Sequence, residues 1–427
     1  MYFLYNLLYC IILFFIFPFQ YLTRPKELRG KWLREKFGFI YPSMSPLIKG
    51  GIKGGSGGII WVHAVSVGEV MAAQPLLKKL REKYPSKEIV LSTITDTGRK
   101  VAKETAPENT KIVYLPFDIT IALKSAIRMV KPEILIIIET ELWPTMFRVF
   151  KKSTIPVILL NGRISEKSFR GYKRISFFMK EVLSNVDFFG MQGEIDAERM
   201  RGIGVDKSKI TVLGNFKFDM RPPSKIPQWT EKIKGPVIIA GSTHDGEEEL
   251  IVSVYNELKK DFPDLNLIIA PRHPERFKDV EEMLRSKGMP FLKRSQLVTR
   301  NSKPDTFNGV ILLDTVGELS AIYGITDIAI IGKSFRGYGG QNPLEPAYWG
   351  KPIICGPHME NFPIISDFYR EGAAIEVNEE DLHSKLKELL LSPERAKEIG
   401  SKAQGLYRKN AGAVGRAMEI VGKFISE

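Results

Sequence analysis

The sequence predicts two doubly wound α/β domains behind an apolar N-terminal helix. Three observations carry this reading. Short, continuously apolar, β-branched runs alternate with amphipathic segments along most of the 427 residues, the pattern of parallel strands covered by helices on both faces. The alternation breaks at a proline-containing polar stretch, 220–235, and then restarts. The unusual polar residues fall where the apolar runs end, which in such sheets is the edge that binds ligands.

The first element is the apolar helix. No charged residue precedes Arg24, and 2–22 is aliphatic and aromatic apart from Asn6, Pro18 and Gln20. About 20 helical residues cross a bilayer's hydrocarbon. A cleavable signal would have a basic start and a small-residue cleavage site, and neither occurs. Residues 1–23 therefore read as a retained membrane anchor. Arg24, Lys26, Arg29, Lys31, Arg34 and Lys36 follow it. Positive charge beside such a segment marks the cytoplasmic side and suits anionic membrane lipids as partners. Together with a Gly-rich linker over 50–58, this basic stretch fills 24–58.

The formal charge of +13, from 62 basic and 49 acidic residues, fits a membrane or an acidic substrate. Nucleic acid would suit the sign, but no zinc-finger spacing, RNA-binding signature or helix-turn-helix pattern occurs, so none is expected as a partner. Two cysteines, Cys10 and Cys355, exclude a disulfide framework. Five histidines, no ligand-spaced cysteines and no Asp-x-Asp motif favour chemistry without a metal.

The first soluble half, 59–219, reads as strands over 59–62, 89–91, 112–115, 134–138, 157–160 and 210–213, with helices over 70–84, 119–130 and 172–183. Arg221-Pro222-Pro223 and Pro227 mark the 220–235 linker. The second half, 236–405, gives strands over 237–240, 265–270, 311–313, 328–331 and 352–354. The amphipathic end of the chain, within 406–427, reads as a helix packing across the domains.

The strand ends carry the chemistry. Arg336 to Ala347 follows one apolar run and precedes another, giving strand, glycine loop, short helix, strand. Glycines let backbone N–H groups approach an anion, and Glu345, early in the helix, suits ribose hydroxyls. The pair suggests a nucleotide; ordinary loop glycines and a capping acid are the alternative. After the first strand comes His63-Ala64-Val65-Ser66-Val67-Gly68-Glu69. Glu69 either complements the dipole of the next helix or takes a proton from an acceptor hydroxyl. His63 is a candidate for the same task, but a lone histidine at a strand end is more often structural. Glu139 and Glu141 end another buried strand, where acids are costly unless they meet donors or face a cleft. Lys217, between Phe216 and Phe218, is a phosphate counter-charge or a surface lysine. Arg272 offers a planar donor fork, and Gly317 allows close backbone approach.

Taken in order, His63 to Glu69, Ile138 to Pro144, Gly214 to Asp219, Ser242 to Glu248, Pro271 to Phe277, Gly317-Glu318 and Gly339 to Glu345 closely resemble the bacterial 3-deoxy-D-manno-octulosonic acid (Kdo) transferases of lipopolysaccharide synthesis. The resemblance implies a GT-B fold, two Rossmann-like domains facing a cleft. It implies transfer of Kdo from the donor CMP-Kdo to the lipid A precursor lipid IVA, with inversion at the anomeric carbon and no cofactor. On the matching positions it makes Glu69 the general base, with Glu139 and Lys217 stabilising the transition state. CMP contacts fall on Pro271, Arg272, Val316, Gly317, Glu318, Asn342, Pro343, Leu344 and Glu345. Gln341 departs from the family, which often has histidine there. Two alternatives stand beside this: another inverting membrane-associated nucleotide-sugar transferase, and a non-catalytic tethered nucleotide-binding protein. A dehydrogenase is disfavoured, because no G-x-G-x-x-G loop follows the first strand.

Overall fold

The computed structural model describes residues 1–40, 58–220, 225–298, 307–337 and 339–425. The expected Gly-rich linker up to residue 57 and the Arg221-Pro222-Pro223 hinge lie outside the described residues. The chain divides into two compact units, Met1–Met220 with Ala411–Glu427, and Arg221–Asn410.

Among the described residues the first unit holds seven parallel strands: β1 (Ile59–His63), β2 (Glu88–Thr93), β3 (Thr110–Tyr114), β4 (Pro132–Ile138), β5 (Val157–Gly162), β6 (Phe188–Met191) and β7 (Ile210–Val212), in the order β3-β2-β1-β4-β5-β6-β7. Strand alternation divides each run between two cores. Ile134, Ile136 and Ile138 enter one and Leu135 and Ile137 the other. Strand order reverses between β1 and β4, and there the crevice of a doubly wound sheet opens.

The second unit repeats the plan with β8 (Val237–Thr243), β9 (Asn266–Pro271), β10 (Phe291–Lys293), β11 (Val310–Leu312), β12 (Ile328–Ile331), β13 (Ile353–Cys355) and β14 (Ile375–Glu376), ordered β10-β11-β9-β8-β12-β13-β14. Its reversal lies between β8 and β12. The two Rossmann-like lobes give the GT-B fold class.

Three strands escape the sequence reading. β10 and β14 are short edges. β6 is interrupted by Gly190, where a Cβ would come within 2.4 Å of Leu213. The helix expected over 172–183 is two, Glu166–Arg174 and Ser176–Leu183, separated at Ile175. The tail also divides: Pro393–Asn410 stays with the second unit, while Ala413–Val421 packs on the first. Val414, Ala417 and Val421 join the core face that contains Leu76, Leu80 and Phe216. Asp219 accepts from the Gly412 and Val414 N–H groups at 2.6 and 2.7 Å, capping this last helix.

Helix α1 (Tyr2–Leu22) is apolar and long enough to cross a membrane, yet one face is docked. Tyr5 donates to the Asp118 carboxylate at 2.7 Å, Asp118 N–H donates to the Tyr9 hydroxyl at 3.1 Å, and Thr145 donates to Asn6 at 2.8 Å. Leu13, Phe17 and Tyr21 continue that face against Trp32 and Phe117. The opposite face carries Phe3, Phe14, Phe15 and Phe19, each at least 70% exposed. Such two-sidedness is that of a membrane anchor whose inner stripe has found protein. The basic helix α2 (Lys26–Lys36) follows, burying Trp32 and Glu35.

Candidate active site

In the first unit the acids gather at the β1/β4 reversal. Helix α3 (Val67–Lys83) begins just beyond β1, capped by Ser66. Glu69 accepts from Val65 N–H at 2.6 Å and from the Ser66 hydroxyl at 3.2 Å. This is a capping box in all but one register step, so the helix-start reading of Glu69 is realised. It does not exhaust the residue. Burial, opposed by the Val65 N–H and reinforced by the charges of Glu141 and Glu139, pushes its carboxyl up to about 7. A carboxylate so poised is matched to proton transfer at neutral pH.

Glu139 follows β4 in a left-handed conformation, φ 61°, a costly backbone for a non-glycine residue. Its amide is anchored to the Leu160 carbonyl at 2.9 Å. Burial raises the Glu139 carboxyl, and the charges of Lys217 and Arg163 oppose this. Conversely, burial lowers the Lys217 ammonium while Glu139 supports its charge. Glu139 and Lys217 therefore sense each other and Arg163, while Glu69 senses Glu139 and Glu141.

Lys217 is held from behind. Its N–H donates to Asn215 Oδ1 at 3.0 Å, Phe216 N–H donates to Asn161 Oδ1 at 3.0 Å, and both flanking phenylalanines are buried. Sequence reasoning gives no role to Arg163. Its signal is a cation directly after the buried Asn161-Gly162 strand end. His63 is fully buried, with Nδ1 2.9 Å from the Ser92 hydroxyl. Burial drives its pKa down to about 3, so it is neutral and structural.

In the second unit, Pro271 and Arg272 lie at the end of β9, Val316 to Glu318 beyond β11, and Asn342 to Glu345 beyond β12. Asn342 Oδ1 accepts from Leu344 N–H at 3.1 Å, and its amide donates to Glu345 at 3.3 Å. Pro343 and Leu344 are buried, fixing that turn. Burial raises the Glu345 carboxyl, opposed by Asn342 and by the charge of Arg272, so the structure brings Arg272 and Glu345 within electrostatic reach. Gly317 has φ 93° with open space where a Cβ would stand, and Val316 beside it is 77% exposed. Glu318 is otherwise engaged, accepting from Arg294 at 2.7 Å and Thr315 at 2.5 Å. Its side chain braces the loop.

The glycine loop differs from its expected use. Gly339 N–H donates to Glu360 at 2.7 Å and Gly340 N–H to the Lys333 carbonyl at 2.9 Å, so these two amides serve the loop itself. The loop's beginning is held by Glu247, a fully buried residue that sequence reasoning leaves without a role. Its carboxylate accepts from the N–H groups of His244, Lys333, Phe335 and Arg336 at 3.0, 2.6, 3.0 and 3.4 Å. Its sequence signal is an acid three residues beyond His244 at a helix start. Among the described residues no cluster of three His, Cys, Asp or Glu side chains is placed to hold a metal ion.

Comparison with known proteins narrows the chemistry. The family model described as 3-Deoxy-D-manno-octulosonic-acid transferase (kdotransferase) matches residues 31–220. The chain is 33% identical over 402 residues to the 3-deoxy-D-manno-octulosonic acid transferase of Haemophilus influenzae, covering 92% of this chain and 91% of that one. It is 33% identical over 336 residues to the protein of the same description from Aquifex aeolicus, covering 78% and 86%. Among solved structures, UDP-GlcNAc 2-epimerase from Neisseria meningitidis matches with TM-score 0.56 and 12% identity over 86% of this chain and all of the other. A glycosyltransferase from Rickettsia africae matches with TM-score 0.55 and 15% identity over 87% and 99%. These two likenesses concern the fold alone. Identity sustained over nine-tenths of both chains identifies this glycosyltransferase as a member of the 3-deoxy-D-manno-octulosonic acid transferase family.

Proposed function

We propose that the protein transfers Kdo from CMP-Kdo to lipid IVA, inverting the anomeric carbon. The acceptor hydroxyl oxygen bonds to that carbon as the carbon–phosphate oxygen bond breaks. The hydroxyl proton passes to Glu69, and the electron pair leaves with CMP. Lys217 and Glu139 act together, the ammonium countering negative charge that develops as the bond to CMP breaks and the carboxylate holding that ammonium charged. The observation that carries this reading is the Glu69, Glu139 and Lys217 cluster at the strand-order reversal, with Glu69 poised at about 7.

CMP is assigned to the second unit. Arg272 meets the phosphate, Glu345 accepts from ribose hydroxyls, and the Val316-Gly317-Glu318 loop, with Pro271 and the Asn342-Pro343-Leu344 turn, frames the nucleotide. The loop's exposed apolar side chain beside an unencumbered glycine supports this assignment. The anchor and basic segment support catalysis at the cytoplasmic face of an inner membrane, with α1 lying along the surface and anionic lipids beside it.

Mass spectrometry of full-length protein with CMP-Kdo and lipid IVA in detergent tests the reaction. A mass gain of Kdo units with matching CMP release is expected, and its absence from CMP-binding protein would sink the assignment. Glu69→Gln should retain CMP affinity and lose about 10²–10⁴ in turnover, the range for a general base.

A further inference from the structure

The docked face of α1 leaves an apolar groove of about 210 Å³ between itself and the rest of the first unit. Ile12, Leu13 and Ile16 form one wall, and Leu115 and Phe117, beyond β3, form the other. Arg24 and Lys36 also line it. Arg24 is committed to Asp96 at 3.3 Å. Lys36 is different: it is 6% exposed, its ammonium lies 5.3 Å from the Phe117 ring, and among the described residues no carboxylate stands within 4.0 Å of it. Glu35, next in sequence, is taken by Arg99 at 2.7 Å and by Tyr114 N–H at 2.8 Å. A nearly buried ammonium without a direct counter-ion, in the wall of an apolar groove, is complementary to an amphiphile with an anionic head.

The groove's remaining walls tie it to the chemistry. Ile94 lines it, and its N–H donates to the Val65 carbonyl at 3.3 Å, on the residue whose own N–H holds Glu69. Trp143 lines it too, ending the loop that starts at Glu139. The next two amides, Thr145 and Met146, are held by Asp118 at 3.0 and 2.7 Å, and Asp118 also receives the Tyr5 hydroxyl of α1. Both catalytic loops thus border a groove whose third side is the anchor helix.

We propose that this groove is an acceptor subsite, seating one acyl chain along α1 and a phosphate of the same lipid on Lys36. The inference rests on the lipid-acceptor reading above. A chain held here would bring the acceptor's sugar to Glu69 from the membrane side, and α1 would serve as part of the substrate site as well as an attachment.

Binding measured without donor separates this from catalysis. Full-length protein in detergent is titrated with tetraacylated, bis-phosphorylated glucosamine disaccharide and with its fully deacylated counterpart. Ile16→Trp, at an exposed position that fills the groove, should weaken binding of the acylated probe about tenfold and leave the deacylated one unchanged. Lys36→Met should weaken both about tenfold. Wild-type affinity for the acylated probe in both variants would overturn the proposal. So would loss confined to phosphatidylglycerol vesicles, which would make the groove a seat for bulk lipid. Binding with the expected losses but without Kdo transfer or CMP release would uphold the subsite and sink the catalytic reading.

Discussion

Glu69 shows how one carboxylate can cap a helix and still be available for chemistry. The capping contacts favour its ionised form, while burial and two acidic neighbours oppose it and win. A base works deprotonated, so turnover should rise with pH through about 7 and level off above it. Glu141→Gln removes a neighbouring charge, lowers the Glu69 pKa and should move that acid limb to lower pH. A limb unmoved in the variant would mean that another group titrates there. In the second unit, Glu247→Gln replaces an acceptor of four backbone N–H groups with an amide that turns two hydrogens towards donors. About 3 kcal/mol of stability should be lost, the scale for breaking a buried charged network. Thermal melting would show this, and CMP affinity should fall with the loosened loop.

At the scale of elements, the long apolar strands are legible because burial on both faces writes itself as unbroken Val, Ile and Leu. Ile134 to Ile138 is such a run. β6 is not, because Gly190 is set by the proximity of Leu213, a contact that no local pattern encodes. The site is legible in the same measure. Glu69, Glu139 and Lys217 stand out as polar residues at apolar strand ends, whereas the partnership of Arg163 with Glu139 and Lys217 needs β4, β5 and the turn after β7 in register. Glu247 is illegible for a related reason: three of its four donors lie some ninety residues further along the chain. The last helix makes an element-scale prediction. Asp219→Ala uncaps Ala413–Val421 and should cost about 1–2 kcal/mol, read as a lower denaturant midpoint. An unchanged midpoint would show that apolar packing alone seats that helix.

For the molecule as a whole, two features suited to a bilayer coexist. The exposed face of α1 is apolar and indifferent to salt, whereas Lys31, Arg34, Lys103 and Lys111 line a pocket of about 550 Å³ that is strongly basic. Screening shortens from about 10 Å at 0.1 M salt to about 3 Å at 1 M. Binding to anionic vesicles should therefore fall about tenfold over that range and settle at the level seen with neutral vesicles, which salt should scarcely affect. Sedimentation with vesicles measures both. Loss of all binding at high salt would mean that α1 does not engage lipid.

The return of the chain from the second unit to the first has a consequence for biosynthesis. The first unit is made first, but Val414, Ala417 and Val421 complete one of its cores. On the ribosome that core must wait through the synthesis of almost two hundred residues, at about 5–20 residues per second. During that interval Phe216 and its neighbours lack their cover, and the nascent chain presents an apolar face beside an apolar anchor. Early engagement of α1 with the membrane would hold the half-finished unit away from other nascent chains until the last helix arrives to close it.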